Sequence, residues 1–225
     1  MPRVEAIEIV EDLTATSRCD EGFIHVRRYR ARNRRADGSA SAVYRIDVVD
    51  RPSLDAVAVC LWARTPRGVE VLLRRQLRPA VSFRREKATA LPERAHLLFE
   101  ELVAGILEPG ERGEEAVRRR AAAEVREETG LAVDPSRLAF LGAPFYMLPG
   151  IVSEKIHLLV AEVERGGGGD AIEAPEEGDG SPMEEGAALA WRELEAAIAA
   201  CGRGEIEDAK TEIILRRLAD RMVAT

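Results

Sequence analysis

The sequence predicts an α/β sandwich, a mixed sheet covered by helices. Three observations carry this expectation. Short apolar or alternating runs bounded by Gly and Pro recur along the chain as strands do, an acidic amphipathic segment at 114–128 sits among them, and two helical patterns follow the last run. At 225 residues the chain is long enough for one large core, and 46% apolar against 32% charged residues is the balance of an ordinary globular protein.

The elements follow in order. A β segment opens near 23–30, and the alternation V-Y-R-I-D-V-V at 43–49 reads as a second strand. After Pro52 the unbroken apolar run A-V-A-V-C-L-W-A at 56–63 predicts a buried strand. Thr65-Pro66-Arg67-Gly68 then supplies a turn, making 69–75 its hairpin partner. Mixed charge and Pro92 break the pattern over 80–98, which reads as an inserted loop or short helix, and 100–106 leads into the acidic helix. Strands are expected at 138–146 and 155–163, joined by a turn at Leu148-Pro149-Gly150. The stretch 165–181, with four consecutive glycines and several acids, has little apolar content to order it and is expected to be mobile. A last strand at 187–191 precedes helices at 192–200 and 208–222, the second opening behind Asp208 and carrying Ile213, Ile214, Leu215 and Leu218.

Composition narrows the function. A net charge of −7 and a pI near 5.3 disfavour nonspecific nucleic-acid binding, which needs a basic face. Two local basic regions stand against that background, six arginines within 26–35 and Arg74, Arg75, Arg78, Arg84 and Arg85; guanidiniums in such regions are suited to phosphates. No apolar run approaches the roughly 20 residues that span a bilayer, and the first residues lack a secretory apolar core. A cytoplasmic protein without membrane partners is expected. Cys19, Cys60 and Cys201 are odd in number and far apart, and His25, His96 and His157 are equally scattered, so neither a disulfide framework nor a zinc or nucleophile site is indicated.

The chemistry concentrates in 105–131, GILEPGERGEEAVRRRAAAEVREETGL. Glu124, Glu127 and Glu128 are spaced i, i+3, i+4, which stacks three carboxylates on one helix face. Three like charges there repel unless something positive sits against them, and oxygen-only ligands are what Mg²⁺ or Mn²⁺ prefers. Thr129-Gly130-Leu131 provides the glycine for a left-handed helix end and restarts an apolar run.

Glu124-Val125-Arg126-Glu127-Glu128-Thr129-Gly130-Leu131 is similar to the second half of the Nudix box, Arg-Glu-U-x-Glu-Glu-x-Gly-U with U aliphatic, and Gly105 and Glu111 match its Gly-x5-Glu opening. Two departures stand out. Ala123 replaces the box arginine, and Glu111 lies thirteen positions before Glu124 where the family has nine. Four extra residues are about one helical turn at roughly 3.6 residues per turn, so a longer helix keeps both ends on nearly the same face. Arg119, at the usual distance from Glu111, and Arg120, one turn before Glu124, are both in reach of the missing arginine's role.

The resemblance implies a Nudix-type α/β/α sandwich over 41–225, preceded by an N-terminal β segment, 1–40, that serves as a dimerisation arm; a homodimer is expected. It implies hydrolysis of a nucleoside diphosphate linked to a second group, with Mg²⁺ or Mn²⁺ held by Glu124, Glu127, Glu128 and the backbone carbonyl of Ala104, and with Glu111 orienting or joining that shell. Within the family, Arg75-Gln76-Leu77-Arg78-Pro79, Glu101-Leu102-Val103-Ala104-Gly105 and Leu148-Pro149-Gly150 with Ser153-Glu154 resemble the ADP-ribose pyrophosphatases. That likeness implies substrate contacts by Arg78, Glu101 and Gly150, and ADP-ribose or another nucleoside diphosphate sugar as substrate. A nucleoside-triphosphate or coenzyme pyrophosphohydrolase and a catalytically silent nucleotide-binding module are the alternatives. Carboxylates committed to a cation make poor bases. The resemblance therefore points to a glutamate before the last strand, Glu184 or Glu185, as the general base.

Overall fold

The computed structural model describes residue 18 and residues 21–92, 94–165, 171–173 and 182–223; most of the glycine-rich stretch expected to be mobile lies outside the described residues. The fold is mixed α/β. Strands β1 (His25–Ala31) and β2 (Tyr44–Asp50) form an antiparallel hairpin, a two-stranded sheet of their own. The division expected at residue 40 therefore falls inside the connection of one hairpin. Then come β3 (Asp55–Thr65), β4 (Gly68–Leu77), a single helical turn α1 (Pro79–Ser82) with a 3₁₀ turn behind it, β5 (Leu98–Glu101), β6 (Val103–Ile106), α2 (Gly113–Thr129), β7 (Ala139–Phe140), β8 (Phe145–Tyr146) and β9 (Lys155–Glu162). The chain closes with β10 (Ala171–Glu173), β11 (Ala188–Glu193), α3 (Leu194–Gly202) and α4 (Ala209–Val223).

Among the described residues β3 to β11 make one nine-stranded mixed sheet, in the order β10-β11-β4-β3-β9-β7, with β5 beside β4, β6 beside β3 and β8 beside β9. The pairing of β3 with β9 is parallel and its pairing with β4 antiparallel, which puts β3 at the centre. Its unbroken apolar run follows from this position. Ala56, Ala58, Cys60 and Trp62 face a core completed by Leu194 and Ala197 of α3 and Ile214, Leu215 and Leu218 of α4. Val57, Val59, Leu61 and Ala63 face the other core, closed by Val117, Ala121 and Val125 of α2. A period of two thus feeds two apolar layers, with helices on both faces of the sheet.

One element departs from expectation. Residues 138–146 do not form a continuous strand but two short pieces, β7 and β8, because Gly142 takes φ +76° and Pro144 follows it, interrupting the ladder. No helix among the described residues is long and apolar enough to cross a membrane.

Candidate functional site

Helix α2 starts after a glycine-hinged loop and ends at Gly130, which takes φ 72° and donates its N–H to the Arg126 carbonyl at 2.9 Å. Thr129 reinforces this end by donating its hydroxyl to the Val125 carbonyl at 2.6 Å. The apolar stripe of α2 packs on the sheet, and the carboxylates of its last two turns point along β6 into a cavity of 680 Å³. Its lining includes the carboxylates Glu124, Glu127, Glu128 and Glu184 and the cations Arg51, Arg78, Arg120 and Lys210.

Gly105 makes the contact between helix and strand close enough. A Cβ built on it would lie 1.8 Å from Glu124 Cδ and 1.9 Å from Glu124 Oε1, so the Glu124 carboxylate occupies the space a side chain would fill. One residue earlier, the Ala104 N–H donates to Glu128 Oε2 at 3.3 Å. Burial and repulsion from Glu127 push the Glu124 carboxyl up to about 7, against the pull of Arg120. Burial pushes Glu128 to about 8, Arg74 opposing and Glu124 and Glu101 adding to it. Both carboxyls are thus under-compensated as anions.

Of the two arginines expected near Glu111, Arg120 is the one that reaches it. The extra turn is helical throughout, and Arg120 donates to Glu111 at 3.1 Å and 3.4 Å and lies 3.7 Å from Glu124. Arg119 instead reaches back to the exposed Glu115. Glu111 also accepts the Glu108 N–H at 2.7 Å, so its carboxylate staples the loop to the helix; these two contacts hold it below the usual carboxylate range against the upward push of burial. It does not line the cavity itself.

Arg74, noted in the sequence only as part of a basic region, lies against two of these carboxylates. It is 2% exposed and donates through Nη1 to Glu128 and Gln76 and through Nη2 to Glu184 at 2.6 Å. Gln76 passes its own N–H to Glu101 at 2.8 Å. The signal for this was present in β4: Glu70, Arg74 and Gln76 fall in phase with Leu72, which faces α2, so three buried polar side chains share one face of the strand at period two.

The cations of the lining are held by acids of their own. Arg78 and Lys210 both donate to the Glu101 carboxylate, and Lys210 also reaches Asp208 at 2.9 Å. Asp208 in turn caps α4, accepting the Thr211 N–H at 3.0 Å. Arg51, just past β2, pairs with Glu154 at the cavity edge. Neither Arg51 nor Lys210 carried a sequence signal, since both lie far in sequence from the acidic helix.

The cavity thus gathers Ala104, Glu124, Glu127, Glu128, Glu184 and Arg78 of the residues expected at a site. Besides Glu111, three others stand off it. Glu101 is 1% exposed with its oxygens engaged by Gln76, Arg78 and Lys210, so it anchors those side chains from behind instead of facing the cavity. Glu185 is exposed and absent from the cavity lining, and Gly150 sits in the turn before β9.

The donor set suits a hard divalent cation: oxygen ligands only, raised carboxyls that a cation would relieve, and a glycine cradle that lets Glu124 in. Among the described residues no three acidic, histidine or cysteine side chains stand together as a ready metal group, and Glu128 and Glu184 both bond to Arg74. Comparison with protein-family models and with curated protein sequences gives no match for this chain.

Proposed function

We propose that this protein is a metal-dependent Nudix-type pyrophosphohydrolase that cleaves the diphosphate of ADP-ribose or a related nucleoside diphosphate sugar, releasing a nucleoside monophosphate and a sugar phosphate. The observation that carries the reading is the single cavity whose lining holds both the box carboxylates Glu124, Glu127 and Glu128 and the cations Arg78, Lys210 and Arg51. A diphosphate repels a nucleophile, so its hydrolysis needs positive charge around the phosphates and a proton acceptor beside the water. Mg²⁺ or Mn²⁺ held by Glu124, Glu127, Glu128 and the Ala104 carbonyl would supply neutralisation and an acidified water. Arg78 and Lys210, fixed by Glu101, present guanidinium and ammonium donors to the phosphate oxygens. Glu184, on the turn before β11 and at the cavity lining, is read as the carboxylate that takes the water's proton, and Arg120 as the side chain that keeps Glu111 and Glu124 in register. The hairpin β1–β2 is read as the dimer contact.

A turnover assay with Mg²⁺ tests the reading, using ADP-ribose, UDP-glucose, GDP-mannose, diadenosine polyphosphates, coenzyme A and nucleoside triphosphates as the panel. Glu124→Gln and Glu128→Gln are each expected to cut the rate by at least about two orders of magnitude, roughly 2.7 kcal/mol in the barrier. Near-parental rates in both folded variants would refute the metal assignment. Preference for triphosphates or the coenzyme would move the substrate class. Binding without turnover would identify a silent nucleotide-binding module, a reading favoured by the engagement of Glu128 and Glu184 with Arg74.

A further inference from the structure

The cavity carboxylates have a buried cation among them. Arg74 extends from β4 toward the α2 face of the sheet, where its neighbour in phase, Leu72, is part of the apolar core. A guanidinium in such a place loses its hydration, and buried ion pairs are often no more stabilising than apolar residues of the same volume. Stability is therefore a weak reason for its presence. Position is a better one. One guanidinium spans two elements far apart in sequence, Nη1 on Glu128 of α2 and Nη2 on Glu184 of the 3₁₀ turn before β11, at 2.6 Å in the second case. Nη1 also donates to Gln76, which passes a hydrogen bond to Glu101 and so to Arg78 and Lys210. The chain of bonds runs unbroken from Arg78 and Lys210 to the turn bearing Glu184.

We propose that Arg74 is a positioning residue acting as a resident counter-ion: it latches the Glu184 turn to α2 and competes with a divalent cation for Glu128. The inference rests on the metal-dependent reading above. Two states follow. In one, Arg74 holds both carboxylates; in the other, the cation has taken Glu128, the bond from Arg74 to Glu184 is broken, and Glu184 turns to the attacking water. Linkage makes the coupling reciprocal, so weakening the latch tightens cation binding and cation binding loosens the latch. Lysine is a test of geometry, since a compact ammonium keeps the charge but lacks the planar fork that reaches two carboxylates at once.

The experiment uses the full chain with Mn²⁺ alone, titrated by calorimetry, together with amide hydrogen exchange. The amides of Glu185 and Ala187 report on the turn, bonded to the Pro182 and Glu184 carbonyls at 3.2 Å and 2.9 Å. Arg74→Met is expected to bind Mn²⁺ at least about tenfold tighter and Arg74→Lys to lie between it and the parent. The amides of Glu185 and Ala187 should exchange faster in both metal-free variants, and in the parent once Mn²⁺ is saturating. Should Arg74→Met not fold, Arg74→Lys decides. Unchanged or weaker Mn²⁺ binding by folded Arg74→Lys overturns the competition, and exchange that rises equally across the sheet shows a merely structural arginine. A parent chain that binds no Mn²⁺ overturns the function proposed above instead; the latch is then upheld by faster local exchange in Arg74→Lys and overturned by unchanged exchange.

Discussion

Glu184 and Glu185 are adjacent in sequence and nearly equivalent by charge, yet their surroundings differ. Glu184 lines the cavity beside Glu124 and Glu128 and shares Arg74, whereas Glu185 is exposed beyond its edge. General-base removal costs about 10²–10⁴-fold, so Glu184→Gln is expected to lower the saturating turnover number by about a hundredfold or more. Glu185→Gln should stay within about twofold of the parent by the same argument, since a solvated side chain off the cavity holds no proton path. Measuring both with Mn²⁺ affinity alongside separates proton transfer from metal loss. If both variants retain at least half the parental rate, the base lies elsewhere.

At the level of elements, α2 does two jobs: its apolar stripe closes one core, and its last turns carry the carboxylates. The loop before it must be held against the helix for those carboxylates to keep their place. Arg120 does this with Glu111 and Glu124, half-buried, while the Arg119–Glu115 pair is solvent-exposed on both sides. Exposed pairs contribute about 0–1 kcal/mol. Arg119→Ala is therefore expected to leave thermal stability within about 0.5 kcal/mol and activity unchanged. Arg120→Ala should reduce turnover at least about tenfold, about 1.4 kcal/mol in the barrier, by releasing Glu124. Equal effects of the two substitutions on rate would contradict the assignment of Arg120.

Across the whole molecule, the Glu101 cluster ties β5 to β4 and α4, and it makes stability depend on pH. Burial alone would raise this carboxyl, but Lys210 and then Arg78 overcome it and bring it from 4.5 to about 2. A depressed carboxyl binds fewer protons folded than unfolded. Its stabilisation, on the order of 3 kcal/mol, is thus present above pH about 4.5 and lost as pH falls toward about 2. Denaturant melts of Glu101→Gln between those pH values should show a flatter acid limb than the parent; an equally steep limb would assign acid sensitivity to other groups. The β1–β2 hairpin stands apart at the same scale. Among the described residues it bridges in parallel, Val49 to Val152, to the turn before β9, and it leaves Tyr29, Tyr44 and Ile46 exposed. Such a face suits a second copy, so the proposed homodimer should lose mass to monomer in light scattering when Tyr29→Glu and Ile46→Glu are combined, and a parent already monomeric at micromolar concentration would exclude it.

By itself the sequence determined whatever is written in local periodicity: the doubly buried β3, the hairpin to β4, the acidic face of α2 with its Gly130 stop, and the two helices at the end. It also placed Glu124, Glu127 and Glu128 together, because spacing of three and four residues on a helix is a contact in itself. What only the tertiary structure decided are the pairings between distant segments: Arg120 over Arg119, Glu184 in the cavity and Glu185 out of it, Glu101 turned inward, and Arg51 and Lys210 at the rim. Arg74 belongs to that second class, since its partners Glu128 and Glu184 lie 54 and 110 residues away. A charged residue shows its own hydration needs in one dimension; which opposite charge meets them depends on how the strands are ordered in the sheet.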